Sequence, residues 1–284
     1  MRSRLKRAAA AAAVVLSVTS AVVVGGGGSG VAQPAGLRAF GISADGRLMA
    51  TFITDQPEVL NWVRVIHGFK GDTAAVGLDF RVQDGLLYLV GNHGGIYTVK
   101  LTPDVVVTKV SQLTYPSHGT NFGVDFNPAA DRLRIVSDTG QNLRHDLNAH
   151  TTAVDTMLTT PPTQGTTLGV TAAAYTNNDL NPDTATTLFD IGTTTDQVLI
   201  QSPANGGTLA PTGRLTVDAA PNAGFDIFST LSGGKATSAA GFATIVGPDG
   251  VARLYAVNLL SGAATSVGQF PLAITDLAVS LSGS

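Results

Sequence analysis

Beyond the first thirty-odd residues, apolar and polar positions alternate in short runs, and Gly, Pro, Asn or Asp falls between nearly every pair of runs. A period of two is the pattern of half-buried strands, and the punctuating residues are those that tight turns demand. The pattern predicts three strands at Leu37–Ser43, Arg47–Ile53 and Val59–Ile66, with turns at Asp45-Gly46 and around Asp55-Gln56-Pro57. Four follow at Val76–Val82, Leu86–Val90, Ile96–Leu101 and Val105–Val110. Four more are expected at Phe122–Phe126, Arg132–Ser137, Asn142–Leu147 and Ala153–Leu158. Another four fall at Val170–Thr176, Thr186–Ile191, Gln197–Gln201 and Gly207–Leu215. A last set reads Gly224–Ser229, Ser238–Val246, Arg253–Leu259 and Ala264–Phe270, and a lone strand, Ile274–Leu281, closes the chain.

The first strand of each set after the opening one carries a recurring motif. Gly77-Leu78-Asp79-Phe80 returns as Gly123-Val124-Asp125-Phe126, Gly224-Phe225-Asp226-Ile227 and Thr275-Asp276-Leu277-Ala278, with a weaker echo at Ala172-Ala173-Ala174-Tyr175. The aspartate position falls at 79, 125, 174, 226 and 276, so the steps are 46, 49, 52 and 50 residues. A repeat of that length accommodates four short strands with their turns, one blade of a β-propeller. The opening set has only three strands and the chain ends on one unpaired strand. An all-β, five-bladed β-propeller with four strands per blade follows, closed by the C-terminal strand joining the N-terminal blade. Closure removes sheet edges that would otherwise pair with other chains. Six blades or a β-sandwich are the alternatives; a sandwich does not predict the fifty-residue echo.

Composition adds export to this picture. Arg2, Arg4, Lys6 and Arg7 precede an apolar run from Ala8 to Val24, and small residues lead to a plausible cut after Ala32, the layout of a secretory signal peptide. Residues 1–32 are therefore read as a leader and 33–284 as a single propeller domain, placing the protein in the secreted, extracellular compartment. An uncleaved N-terminal membrane anchor is the alternative, since the apolar run is near the shortest length that spans a bilayer. The leader holds four of the 17 basic residues and none of the 20 acidic ones, leaving 13 against 20 and a formal charge near −7. Nucleic acid is excluded as a partner by that deficit of cations, and no membrane partner is expected once the leader is cleaved. There is no cysteine, so disulfides play no part.

The segment GVDFNPAADRLRIVSDTGQNLRHDLN, Gly123 to Asn148, resembles the signature of the bacterial family called domain of unknown function 4394. GLDFRVQDGLLYLV before it, AAAYTNN after it and RLYAVNLLSGAATSVG from Arg253 are similar to other segments of that family. The resemblance covers nearly all of the mature chain. It implies an exported, propeller-like domain and no activity. Gln83-Asp84 departs from the proline-containing turn of the family pattern, and the stretch after Asn148 is short.

Two sets of residues could carry chemistry. In an extended strand Asp79 shares a face with Gly77 and Arg81. If the motif strands are innermost, Asp79, Asp125, Asp226 and Asp276 face the central axis. As repeated structural aspartates they would accept backbone N–H bonds from the adjacent blade; as a channel metal site they would supply oxygen ligands to a divalent cation. The gap at Ala174 fits independent locks better than a ring of ligands. Gln141, Asn142 and Arg144 offer amide and guanidinium donors suited to a carboxylate or a sugar hydroxyl, and are the candidate ligand-binding residues. Ser137, His145 and Asp146 lie close in sequence, but Ser137 lacks the Gly-x-Ser-x-Gly elbow and reads as a turn residue. His67, His93, His118, His145 and His150 read as solvated loop residues. No catalytic residue and no cofactor is assigned. The expected function is a non-catalytic extracellular binding or scaffold module for a glycan, peptide or protein; the alternative is a metal-dependent hydrolase or lactonase-like enzyme using the channel aspartates.

Overall fold

Strand propensity and turn chemistry act together from Gly36 onward, and the computed structural model describes residues 36–284. The expected leader, residues 1–32, lies outside the described residues. Among the described residues, twenty strands and one short 3-10 turn at Ala204–Gly206 make up the regular structure. The first three are β1 (Arg38–Ser43), β2 (Leu48–Ile53) and β3 (Gln56–His67); β4 (Ala75–Phe80), β5 (Leu87–Gly91), β6 (Gly95–Lys100) and β7 (Val105–Gln112) follow. Next come β8 (Phe122–Asn127), β9 (Arg132–Ser137), β10 (Asn142–Asp146) and β11 (Thr151–Val154). The fourth unit holds β12 (Val170–Tyr175), β13 (Leu188–Gly192), β14 (Gln197–Gln201) and β15 (Leu209–Arg214). The fifth holds β16 (Ala223–Ser232), β17 (Lys235–Val246), β18 (Ala252–Val257) and β19 (Ala264–Gln269), and β20 (Ile274–Val279) ends the series.

β8–β11, β12–β15 and β16–β19 each form a four-stranded antiparallel meander. The remaining strands form one eight-stranded sheet in the order β20-β1-β2-β3-β7-β6-β5-β4. Within it two antiparallel runs of four meet through a short parallel pairing, Ile66 with Val105 and His67 with Val106. That bridge merges two units expected to be separate sheets. The terminal strand does pair with the first: Phe40 lies opposite Ala278 and Ile42 opposite Asp276.

The motif strands lie on the inside. β4 contacts β8, β8 contacts β12, β12 contacts β16, β16 contacts β20, and β20 contacts β4, a closed cycle with propeller-like radial sheets behind it. Glycine in the motif lets these strands approach. A Cβ on Gly123 would sit 2.4 Å from the Ala173 nitrogen and 2.5 Å from the Ala172 carbonyl carbon. The core divides into wedges between successive units. Phe40 and Met49 meet Leu78 and Leu89 in one, Tyr88 and Ile96 meet Phe126 and Leu143 in the next, and Val136 meets Tyr175 and Leu199 in a third. Ile191 with Phe225 and Phe242 with Ile274 fill the other two.

Several expected boundaries move, the largest extension being the β16–β17 hairpin, which runs to Ser232 and resumes at Lys235; two others have an evident cause. Pro57 lies inside β3, and the turn before it is reduced to Thr54-Asp55 between paired Ile53 and Gln56. Proline is tolerated because this outer strand has a bulged register there. β11 is Thr151–Val154, not Ala153–Leu158. At Asp155 the chain leaves the sheet, because that carboxylate pairs with two arginines and Thr156 N–H donates to the Asn205 carbonyl.

Candidate functional site

Alternation along the inner strands turns the motif aspartates toward the neighbouring unit, where backbone N–H groups meet them. Asp79 Oδ1 accepts from Phe80 N at 2.6 Å and Oδ2 from Phe126 N at 2.7 Å. Asp125 Oδ1 accepts from Tyr175 N at 2.9 Å. Asp226 receives Ile227 N at 2.6 Å and Val279 N at 2.5 Å, and Asp276 receives Leu277 N at 3.0 Å and Leu78 N at 3.1 Å. Four junctions thus carry a carboxyl-to-backbone bond between successive units. At the junction where Ala174 replaces aspartate, Asn177 N–H donates instead to Ser229 Oγ at 3.0 Å.

These carboxyls also converge. One oxygen from each of Asp79, Asp125 and Asp226 lies within 4.8 Å of the others, all three residues being buried. Burial pushes Asp79 and Asp125 well above the usual carboxylate range, with neighbouring carboxylates adding to the effect. Asp276 is raised chiefly by burial, and Asp226 is raised by burial to about 6. Each of these shifts favours the protonated form, which relieves the repulsion between acids packed this closely.

A second polar assembly sits between the third and fourth units. Register places Asp125 opposite Arg134 and Arg134 opposite Arg144, so all three side chains leave one face of the sheet. Arg134 is 2% exposed. Its Nη1 donates to Asn142 Oδ1 and Asp155 Oδ2, both at 2.7 Å, its Nη2 to Asn205 Oδ1 at 2.7 Å, and its Nε to the Tyr175 hydroxyl at 3.2 Å. Arg144 forks onto the same Asp155, both bonds at 3.1 Å. Arg132 pairs with Asp146 at 2.7 Å. The three arginines, Tyr175, Asn127 and Asn205 line a half-open cavity of about 230 Å³. Nearby in the fourth unit Asp190 is fully buried, with neither oxygen hydrogen-bonded among the described residues. Burial raises it well above the carboxylate range against the opposing pull of Arg134.

A profile of the family described as Domain of unknown function (DUF4394) matches residues 48–278. The chain belongs to that family. No curated protein matches the sequence. Among solved structures, a chain of the nidogen/laminin complex is similar with a TM-score of 0.49 and 11% identity, covering 87% of this chain and 99% of that one. Glutaminyl cyclase from Myxococcus xanthus is similar at TM-score 0.46 and 11% identity, over 86% of this chain and 100% of that one. An auxiliary nutrient binding protein from Bacteroides thetaiotaomicron gives 0.48 and 9%, over 86% and 68%.

In this family member Asn142 and Arg144 both join the Arg134–Asp155 assembly, whereas Gln141 lies apart. Gln141 is spent on a loop, donating to the Pro116 carbonyl at 2.9 Å and accepting His118 N–H at 2.8 Å. Asn142 is fully buried and donates to the Thr156 and Ala204 carbonyls at 3.1 and 3.0 Å. Only Arg144 lines the cavity. Arg132, Arg134 and Tyr175 were not singled out by sequence, although arginine at alternate positions of an otherwise apolar strand is a signal for two inward cations.

His145 is not a solvated loop histidine. It is fully buried, with Nε2 2.9 Å from Ser111 Oγ and Nδ1 2.9 Å from Thr152 Oγ1. Its pKa is lowered to about 4, by burial first and then by His150. Ser111 Oγ is also 2.9 Å from His150 Nδ1. Ser137 bonds instead to Thr139 Oγ1 at 2.8 Å within its own turn.

Proposed function

We propose that the protein is an exported, five-bladed β-propeller acting outside the cell as a non-catalytic binding or scaffold module for a glycan, peptide or protein. The five-unit count is supported by the closed cycle of inner strands and by the pairing of β1 with β20, the parallel bridge between β3 and β7 being a contact between two blades. Export rests on the basic-then-apolar leader of residues 1–32. The observation that carries the binding reading is the polar cavity between the third and fourth units, into which several arginine side chains converge while the axial acids are committed to backbone bonds. A pull-down from culture supernatant together with glycan arrays tests it: retention of a partner or glycan is the expected result. Blank binding assays alongside turnover in a broad hydrolase screen would overturn it.

A second reading, a metal-dependent hydrolase or lactonase-like enzyme, is favoured by one observation, the approach of Asp79, Asp125 and Asp226 oxygens within 4.8 Å. Oxygen-only ligands suit a hard divalent cation, which would compete with the protonated form that burial favours there. Elemental analysis of purified protein separates the two readings. No stoichiometric metal, and no change in melting temperature on adding Ca²⁺ or Zn²⁺, removes the enzyme reading.

A further inference from the structure

The cavity between the third and fourth units is rich in unspent donors. Three guanidinium groups line it; Asp146 pairs with Arg132, and Asp155 is shared between Arg134 and Arg144. A further carboxylate, Asp131, lies near Arg132 but is held by Arg81, so Arg144 has no carboxylate to itself.

Donor counting points the same way. A guanidinium has five N–H bonds and no acceptor. Arg144 uses one from Nε and one from Nη2 on Asp155, so both Nη1 protons and the second Nη2 proton have no side-chain or backbone acceptor among the described residues. Asn205 accepts from Arg134 through Oδ1, which leaves its Nδ2 donors for the cavity. The Tyr175 hydroxyl accepts from Arg134 Nε and keeps its own proton to donate. The acceptors of the lining are occupied by the lining itself, so what enters must accept hydrogen bonds.

We propose that this cavity is a subsite for the carboxylate of a small organic acid or acidic sugar, held by Arg144 with Tyr175 and Asn205. One guanidinium edge with two neutral donors beside it suits a planar carboxylate better than a tetrahedral phosphate. Planar, forked donors suit a carboxylate. A volume of about 230 Å³ is below the roughly 300–1,000 Å³ of sites that enclose a whole drug-sized ligand, so it takes the acidic group and leaves the rest of a larger ligand outside. The proposal rests on the binding-module reading and names the chemistry of its ligand.

Isothermal titration of the purified full chain with sodium glucuronate tests it, with glucose and inorganic phosphate as the other arms. Saturable binding of glucuronate is expected, with none of glucose and weaker binding of phosphate. Arg144→Gln should weaken glucuronate at least tenfold. Should Arg144→Gln fail to fold, Asn205→Asp, an exposed position in a short turn, places a carboxylate at the cavity and should produce the same loss. A flat glucuronate titration, tighter binding of phosphate, or unchanged affinity in a folded variant overturns the assignment. If glucuronate is flat while pull-down or array yields a neutral partner, the carboxylate assignment alone fails; if all are blank, the binding-module reading fails with it.

Discussion

Asp79 Oδ2 accepts the Phe126 N–H at 2.7 Å across the junction of the second and third units, while Oδ1 holds the N–H of Phe80 beside it. One side chain thus satisfies two donors, a part-buried one in its own strand and a buried one in the next unit. Leaving a buried donor without a partner costs about 1–3 kcal/mol. Asp79→Ala is expected to destabilise the protein by about 2–4 kcal/mol and Asp125→Ala, which strands only Tyr175 N–H, by about 1–3 kcal/mol. Urea denaturation midpoints check the order. A variant as stable as wild type would mean that relief of carboxyl crowding outweighs the lost bonds, and that these acids do not hold the units together.

The motif glycine makes a separate prediction. Gly123→Ala places a methyl against the backbone of Ala172 and Ala173, atoms that cannot rotate away, so a loss of about 1–3 kcal/mol or more is expected from overpacking. Gly85 has φ of 71° and open space around its Cβ position, so Gly85→Ala should cost only the left-handed backbone term of about 1–2 kcal/mol. Thermal melts of the two variants compare a steric cost with a conformational one. A Gly123→Ala variant as stable as wild type would count against close approach at β8 and β12.

Most strands were legible because each is short, alternating and bounded by Gly, Pro or Asp. Arg132–Ser137 and Gln197–Gln201 fall where the pattern puts them. The repeat also located the inner strands, since its aspartates need a neighbour's backbone and its glycines need a neighbour's approach. The arginine cavity was less legible. It joins Arg134 to Asn205, 71 residues apart, and to Tyr175, 41 apart, and no local spacing encodes such pairs. Gln141 and Asn142 were ambiguous for the opposite reason, since a polar cluster beside a turn reads alike whether it faces solvent or satisfies carbonyls inside. His145 needed Ser111 from another sheet before its burial made sense.

The two ends of the chain are interdependent. β20 pairs with β1, contacts both β4 and β16, and supplies Asp276 to Leu78 N–H. Truncation before Ile274 therefore removes an inner strand from a closed cycle and exposes the β1 edge, a far larger loss than the marginal stability of a typical domain. The truncated protein should lose its cooperative thermal transition by circular dichroism. A soluble truncation with an unchanged melt would show that the cycle is not needed for folding.

Stability should respond to pH through buried groups of opposite sign. Asp79, Asp125, Asp190 and Asp276 are raised in the same direction as Asp226, and His145 is lowered, so each effect is read as the difference between a variant and wild type. Asp226 has a folded pKa of about 6 against an ordinary 3.8, so its contribution is fully present below pH 3.8 and is lost as pH rises through 6. The shift corresponds to about 3 kcal/mol at about 1.4 kcal/mol per pKa unit. His145 is lowered from 6.5 to about 4, so its contribution is fully present above 6.5 and is lost as pH falls toward 4. Between pH 4 and 6 the two slopes oppose each other. Asp226→Asn, which keeps one acceptor oxygen but cannot titrate, should become less stable relative to wild type as pH falls through that window. His145→Gln should instead lose the acid-side penalty and grow more stable on acidification relative to wild type. Denaturation midpoints at half-unit pH steps for the three proteins check both signs; parallel profiles would show that neither group titrates with a folded-state pKa different from its unfolded one.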